Sequence, residues 1–405
     1  MMTRWIGSGL SRRALLRAGV MAAAGSVTIG RRPAAADPIV AGRPLVRFPE
    51  KTDLILLTTR PPQLETPMAY FDRAITPNDA FFVRYHVFPV PTSIDSDQWR
   101  LELKGAVDRP VRLSMADLRT RFPKVSVTAV NQCSGNSRGR FSPRVLGGQW
   151  GDGAMGNAVW AGVRLADLLK AAGAKASGID VAFKGLDAPA FPQVPRFEKA
   201  LALSRVMNDP DVIVAYEMNG QRLPMLNGFP CRLVVPGWYA VYWVKHLSEI
   251  TVLPAPLGSY WMKTAYRIPD SPCGCVEPGT VPRATVPITR MTVRSFIAAP
   301  ASGARVAVGQ AVALKGIAFD GGDGIREVLV SDDGGDVWRR AMLGADLGRY
   351  SFREWSATWT PSAPGTARLM VRAVNRIGES QPAAPLWNAS GYLRNVIEHV
   401  DVVVG

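Results

Sequence analysis

A chain of 405 residues is too long for a single ordinary core, and two domains are the expectation. Its 47% hydrophobic and 20% charged content fits a folded globular protein and excludes a disordered one. The formal net charge is +15, but the basic residues are scattered and no helix carries a basic stripe with interleaved aromatics. Nucleic acid is therefore a poor partner, and a small anion or an acidic protein a better one.

The N-terminus opens with a paired arginine, Arg12-Arg13, followed by a mild apolar stretch from Ala18 to Gly30 and the small residues Ala34-Ala35-Ala36. That order is the pattern of a twin-arginine export signal over residues 1–36, a route that carries proteins already folded and places them in the periplasm. The segment holds six arginines and no acid, so the remainder carries about +9. No later run has the length and apolarity of a membrane span.

Residues 37–60 are rich in proline and apolar residues without a clear period. "FFVRYHV" (81–87) then puts Arg84 and His86 two apart in an apolar run. In an extended strand they share a face, either as a charged pair at a sheet edge or as part of an anion pocket. "WRLELKGAV" alternates as a strand, and "SMADLRTRF" is a helix capped by Ser114. "VSVTAVNQ" (125–132) is a strand entering the core, and it runs into the polar, glycine-containing loop Cys133-Ser-Gly-Asn-Ser-Arg138-Gly. "RLADLLKAAGA" is a short amphipathic helix ending at glycine, "VIVAYEMNGQRLP" a hairpin about Asn219-Gly220, and "CRLVVPGWYAVYWVKHLSEITVL" a strand, a turn and a strand. This is an α+β domain over 37–284. After "SPCGCVEPG" helical patterns nearly vanish. Short strands separated by Asp, Gly and Pro turns, one of them Asp332-Asp333-Gly334-Gly335, predict an immunoglobulin-like β-sandwich over 285–405.

The chain has 4 cysteines and 3 histidines. No C-x-x-C-H, C-x-x-C or H-E-x-x-H is present, so attached haem and the usual zinc arrangements are not expected. The close spacing of Cys273 and Cys275 leaves their redox state open, and Cys231 reads as a small buried hydrophobe. His246 and His399 read as solvated or core residues. Cys133 is either a structural residue before a turn or, at the end of a buried strand with Arg138 five residues on, a ligand or nucleophile.

"AVNQCSGNSRGRF", "GAMGNAVWAGVRL", "YEMNGQRLPMLNGFPCRLVVPG", "VKHLSEI" and "YWMKTAYRIPD" stand in an order that resembles the sulfite oxidase family, and the resemblance covers nearly all of the chain after the leader. It implies a molybdenum–molybdopterin cofactor and the oxidation of sulfite to sulfate. Cys133 matches the thiolate ligand of the metal. Arg84, Arg138 and Arg353 match arginines of the substrate pocket, Trp150 a residue of its wall, and Tyr266 the tyrosine beside the metal's oxo group. His86, Arg232 and Lys245 match groups that hold the pterin and its phosphate. Arginine forks suit a compact oxyanion, and a soft thiolate suits a metal already held by sulfur.

Two features depart from the animal members. No histidine stands upstream of residue 80, so a haem domain there is not expected, and electrons would pass to a separate c-type cytochrome. Tyrosine and tryptophan precede Val244-Lys245 where animal sequences have arginine and histidine. The sandwich would serve a homodimer or a heterodimer with a haem subunit. The competing readings are a molybdenum-dependent reductase of sulfoxides or related oxides, and an exported β-sandwich binding module that would leave the Cys133 loop unexplained.

Overall fold

The structure is a computed structural model that describes residues 39–405; the expected leader lies outside them. The first domain is built from three larger sheets. An antiparallel sheet of Leu45–Arg47, Asp53–Thr59, Pro62–Glu65 and Val83–Arg84 lies at the start of the chain. Its first strands form where the sequence shows no period, and the burial pattern of Asp53–Thr59 is itself not alternating. A second sheet has the order Glu198–Ala202, Asp180–Gly185, Leu247–Leu253, Leu101–Gly105, Val111–Leu113, with one parallel pair between Leu247–Leu253 and Leu101–Gly105. The third sheet runs Gln221–Arg222, Ile213–Met218, Met155–Arg164, Val125–Gln132, with Arg232–Val234 paired to Ile213–Met218.

Local signals hold where they are strong. Ser114 caps the helix Met115–Arg121 in a reciprocal box with Asp117. Gly173, at φ +69°, ends the helix Leu165–Ala172. Asn219 and Gly220, both at positive φ, turn the hairpin between Ile213–Met218 and Gln221–Arg222.

The run "WYAVYWVK" departs from the strand expected of it. It coils into a 3₁₀ turn at Ala240–Tyr242, and the strand resumes only at Leu247. Tyr239, Tyr242 and Trp243 are all buried there. The coil satisfies their polar tips, with the Tyr242 hydroxyl donating to Ile288 O at 2.8 Å and Trp243 Nε1 to Trp238 O at 3.0 Å.

The second domain is a two-sheet sandwich. One sheet orders Arg294–Ala299, Val312–Phe319, Arg353–Trp359 and Met342–Leu343. The other orders Arg305–Val306, Glu398–Val404, Gly365–Asn375, Ile325–Ser331 and Arg339–Arg340. Its interior core includes Trp355, Val371 and Val402. Its outer face joins the core of the first domain, where Phe352 meets Phe71 edge-on at 5.9 Å and Val130 N donates to Tyr350 O at 2.9 Å. Between the domains, Cys273 and Cys275 form a disulfide.

His246 is fully buried and lies at φ +50°, just before the strand Leu247–Leu253. Its Nε2 pairs with the Tyr85 hydroxyl at 2.7 Å and its Nδ1 with Phe229 O at 2.6 Å. Burial lowers its pKa to about 3. The unfolded chain therefore binds more protons than the fold between about pH 6.5 and pH 3, and stability is full above that window and is lost as pH falls through it. One such group contributes up to about 1.4 kcal/mol per pH unit. His246→Asn should lower the melting temperature at neutral pH yet show a shallower loss than wild type between about pH 6 and about pH 4, read by thermal unfolding across pH. Equal slopes would remove His246 as the titrating group.

Candidate active site

Val125–Gln132 pairs along its whole length with Met155–Arg164, which drives its C-terminal end into the core and delivers Cys133 there, 7% exposed. The loop beyond it is held by its own backbone. Cys133 N donates to Ala154 O, Asn136 N to Cys133 O and Arg138 N to Gly135 O, at 2.9, 2.9 and 3.0 Å. Asn136 adds side-chain bonds to Ala154 N and Asp152 O. A Cβ on Gly135 would stand 2.6 Å from Arg138 Cζ, so the glycine makes room for the guanidinium.

The cavity beside this loop brings together Arg84, His86, Cys133, Arg232, Lys245 and Tyr266. Arg84 and His86 share it although the strand expected over 81–87 is only Val83–Arg84. His86 stacks on Phe197 at 3.6 Å, and its Nε2 is 2.6 Å from the Tyr266 hydroxyl. Tyr266 holds φ +60°, an uncommon conformation for a bulky residue. Arg232 donates to Asn227 O and Trp243 O at 3.0 and 3.1 Å, and Lys245 Nζ donates to Arg84 O.

Burial dominates the electrostatics. It drives His86 well below its ordinary pKa, with Arg84, Lys245 and Lys199 adding to the effect. It raises Tyr266 and lowers Lys245 and Arg232. Among the described residues Asp187 is the one carboxylate on the lining, and burial pushes it upward. A guanidinium stays protonated even so. The cavity thus carries an excess of positive charge, and several of its donors are idle: Arg84 Nη1, Arg232 Nε, Asn131 Nδ2 and Ser134 Oγ are buried with no hydrogen-bond partner in the protein. Idle buried donors are costly and call for a polar, anionic occupant.

A molybdenum–pterin group fits this donor set. Cys133 offers one soft sulfur, free of any disulfide. Among the described residues no cluster of three or more His, Cys, Asp or Glu could hold a metal alone, so a metal here must bring other ligands with it. The cationic donors suit the group's phosphate.

Arg138 and Trp150 sit behind the cavity rather than on its lining. Arg138 Nε donates to Ser390 O at 3.0 Å and Nη1 to Gly148 O at 3.3 Å; Trp150 is buried and its backbone brackets Gly139 and Gly148. The structure does not bring Arg353 there. Its Nη1 faces Asp346 at 3.5 Å. The two-residue period of Arg353–Trp359 explains this: Phe352 and Glu354 face the first domain, at Phe71 and Ala74, while Arg353 points with Trp355 toward the sandwich side.

The sandwich reaches the site through other residues, which sequence reasoning misses. Buried Arg294 donates to Ser137 Oγ and Glu398, at 2.8 and 2.7 Å. Ser137 Oγ is 2.6 Å from Asp152, which is paired with Arg140, while Arg394 also binds Glu398. The segment 388–394 covers the loop itself, with Leu393 N donating to Ser134 O at 2.9 Å. Its only sequence signal is a tyrosine and an arginine beside Gly391 in a polar stretch between long strands. Lys199, 1% exposed, lies 5.8 Å from the Tyr266 ring and carries no such signal at all.

Comparison with known proteins agrees with this geometry. The oxidoreductase molybdopterin-binding domain matches residues 87–261, and the Mo-co oxidoreductase dimerisation domain residues 285–404. Sulfite oxidase of Gallus gallus is 37% identical over 378 residues, covering 89% of this chain and 79% of that protein. The mitochondrial sulfite oxidase of Homo sapiens is 36% identical, covering 85% of this chain but 63% of that protein's length. The crystal structure of the sulfane dehydrogenase SoxCD from Paracoccus pantotrophus superimposes with a TM-score of 0.71 at 25% identity, covering 84% of each chain. With a cysteine-bearing, cation-rich cavity in a molybdopterin-binding domain, followed by the matching dimerisation domain, the chain belongs to the sulfite oxidase family of molybdenum-cofactor-dependent oxidoreductases.

Proposed function

We propose that this protein oxidises sulfite to sulfate, taking one oxygen from water and releasing two protons and two electrons per turnover. The observation that carries the reading is the set of idle, buried donors on the lining that holds Cys133, two of them on guanidinium groups, a surrounding that suits an anionic cofactor and an oxyanion together. The molybdenum–pterin group, when bound, supplies the oxygen transfer and accepts the electron pair.

The chain's own residues do the rest. Cys133 Sγ anchors the metal, and Arg232 and Lys245 hold the pterin side. Arg84, with Nη1 free, binds and orients the oxyanion, and Arg138 adds positive field from behind. The Tyr266 hydroxyl and His86 Nε2 are joined by one hydrogen bond of 2.6 Å. Burial raises the phenol and lowers the imidazole, so both partners of this hydrogen bond are held neutral. The pair therefore presents a fixed dipole rather than a titrating group.

Export by the twin-arginine route rests on the Arg12-Arg13 leader, and a c-type cytochrome is the proposed electron acceptor. The dimerisation-domain match supports a second subunit on the sandwich, either a further copy or a haem protein. The likeness to SoxCD supports a second reading, oxidation of a sulfane sulfur.

Molybdenum analysis of purified protein, with cytochrome c reduction followed on adding sulfite or a persulfide, separates these readings; the proposal expects sulfite to be the better donor. Arg84→Met should keep its molybdenum and lose kcat/KM for sulfite by about tenfold or more, because a desolvated charge-assisted contact is worth roughly 1.5–3 kcal/mol. Unchanged kcat/KM would take Arg84 out of the anion pocket.

A further inference from the structure

Tyr392 comes to the site from the second domain. It lies in the segment between the strands Gly365–Asn375 and Glu398–Val404. Its ring is stacked on that of Tyr266, with centroids 5.4 Å apart and planes 18° from parallel. The guanidinium of Arg138 lies over the same ring at 4.9 Å. One phenol thus touches both a residue of the cavity wall and the arginine behind it, without lining the cavity itself.

The segment is built to hold that ring in place. Asn388 bonds both ends of the Tyr392 peptide, accepting from Tyr392 N at 3.1 Å and donating to Tyr392 O at 2.9 Å. The next residue, Leu393, holds φ +60° and donates to the carbonyl of Ser134, the neighbour of Cys133. Arg138 Nε is bound to Ser390 O. Gly391, at φ +59°, passes so close that a Cβ there would stand 2.8 Å from Arg138 Cγ. Meanwhile Tyr266 has a strained backbone and its hydroxyl is bonded to His86, so the face of its ring depends on packing for its position.

We propose that Tyr392 is a positioning residue of the anion pocket, clamping the Tyr266 ring and the Arg138 guanidinium at once. The second domain then shapes the site through a stacked ring rather than through Arg353. The use of sulfite as the test substrate rests on the proposed sulfite oxidation. The contacts belong to the ring and not to its hydroxyl, so phenylalanine keeps them and an aliphatic side chain does not.

The test uses the molybdenum-loaded full chain. Wild type is assayed first: if it does not oxidise sulfite, the functional reading fails, while sulfate binding by calorimetry still tests the clamp. Tyr392→Phe should stay within about twofold of wild type in kcat, in KM and in sulfate affinity. Tyr392→Ala should lose about tenfold or more in kcat/KM and bind sulfate more weakly in parallel, with its molybdenum content unchanged. Tyr392→Leu preserves bulk without a π face, and should match the alanine variant in activity while melting close to wild type; it decides the matter if alanine does not fold. Combined with Tyr266→Phe, the alanine loss should be less than additive, as expected for groups in contact. Wild-type kinetics and sulfate affinity in Tyr392→Leu would overturn the proposal. So would a Phe variant as impaired as the Leu variant, which would assign the effect to the hydroxyl.

Discussion

Arg84, Arg232 and Lys245 converge on a cavity whose one lining carboxylate, among the described residues, is Asp187. Two guanidiniums and an amine that burial pushes toward its neutral form outnumber the one carboxylate, and unpaired buried charge costs several kcal/mol per ion. The surrounding structure accepts that cost in an orderly way. Carbonyls of Asn227, Trp243 and Arg84 take some of the N–H groups, aromatic faces of Tyr85 and Trp160 cover the cations, and Arg84 Nη1 and Arg232 Nε are left without a partner in the protein. An anionic cofactor suits this set of donors, and one that binds only the folded chain stabilises it.

The two domains are one functional unit for the same reason. The cysteine loop is polar and turn-rich, with Ser137 at φ +65° and little apolar surface of its own. It is held from the other domain by Arg294, whose guanidinium spans Ser137 and Glu398, and by the backbone of Leu393 over Ser134. The Phe352–Phe71 contact and the Asn157–Ser351 hydrogen bond extend this junction away from the site. A sandwich that merely mediated assembly would have no need of a buried ion network reaching the cysteine loop.

What the sequence discloses follows the range of the forces involved. The Ser114 box, the Asn219-Gly220 turn and the Gly173 helix stop are decided within a few residues, and all are legible. Alternating strands of the sandwich are legible as well. Cys133, Arg232, Lys245 and Tyr266 stand in blocks that carry the resemblance, Arg84 and His86 in the apolar run 81–87 before them, and the fold does bring all six to one cavity. The misses are long-range or collective. Arg353 has the right residue type, but a one-residue difference in strand phase turns it away from the first domain. The aromatic run at 238–243 satisfies burial by coiling, which no local period announces. Tyr392, Arg294 and Lys199 acquire meaning only from what lies opposite them in space, at sequence distances that no motif spans. The disulfide Cys273–Cys275 is a further case, because spacing alone does not decide it.

The central claim is that Cys133 supplies a sulfur ligand to a molybdenum bound in this cavity. X-ray absorption at the molybdenum edge, on matched wild-type and Cys133→Ser protein of equal cofactor content, tests it most directly. The account predicts one fewer sulfur neighbour around the metal in the serine variant, with the fold intact by circular dichroism and sulfite oxidation abolished, because a hydroxyl is a poor substitute for a soft thiolate. An unchanged number of sulfur neighbours, or full activity in that variant, would contradict it.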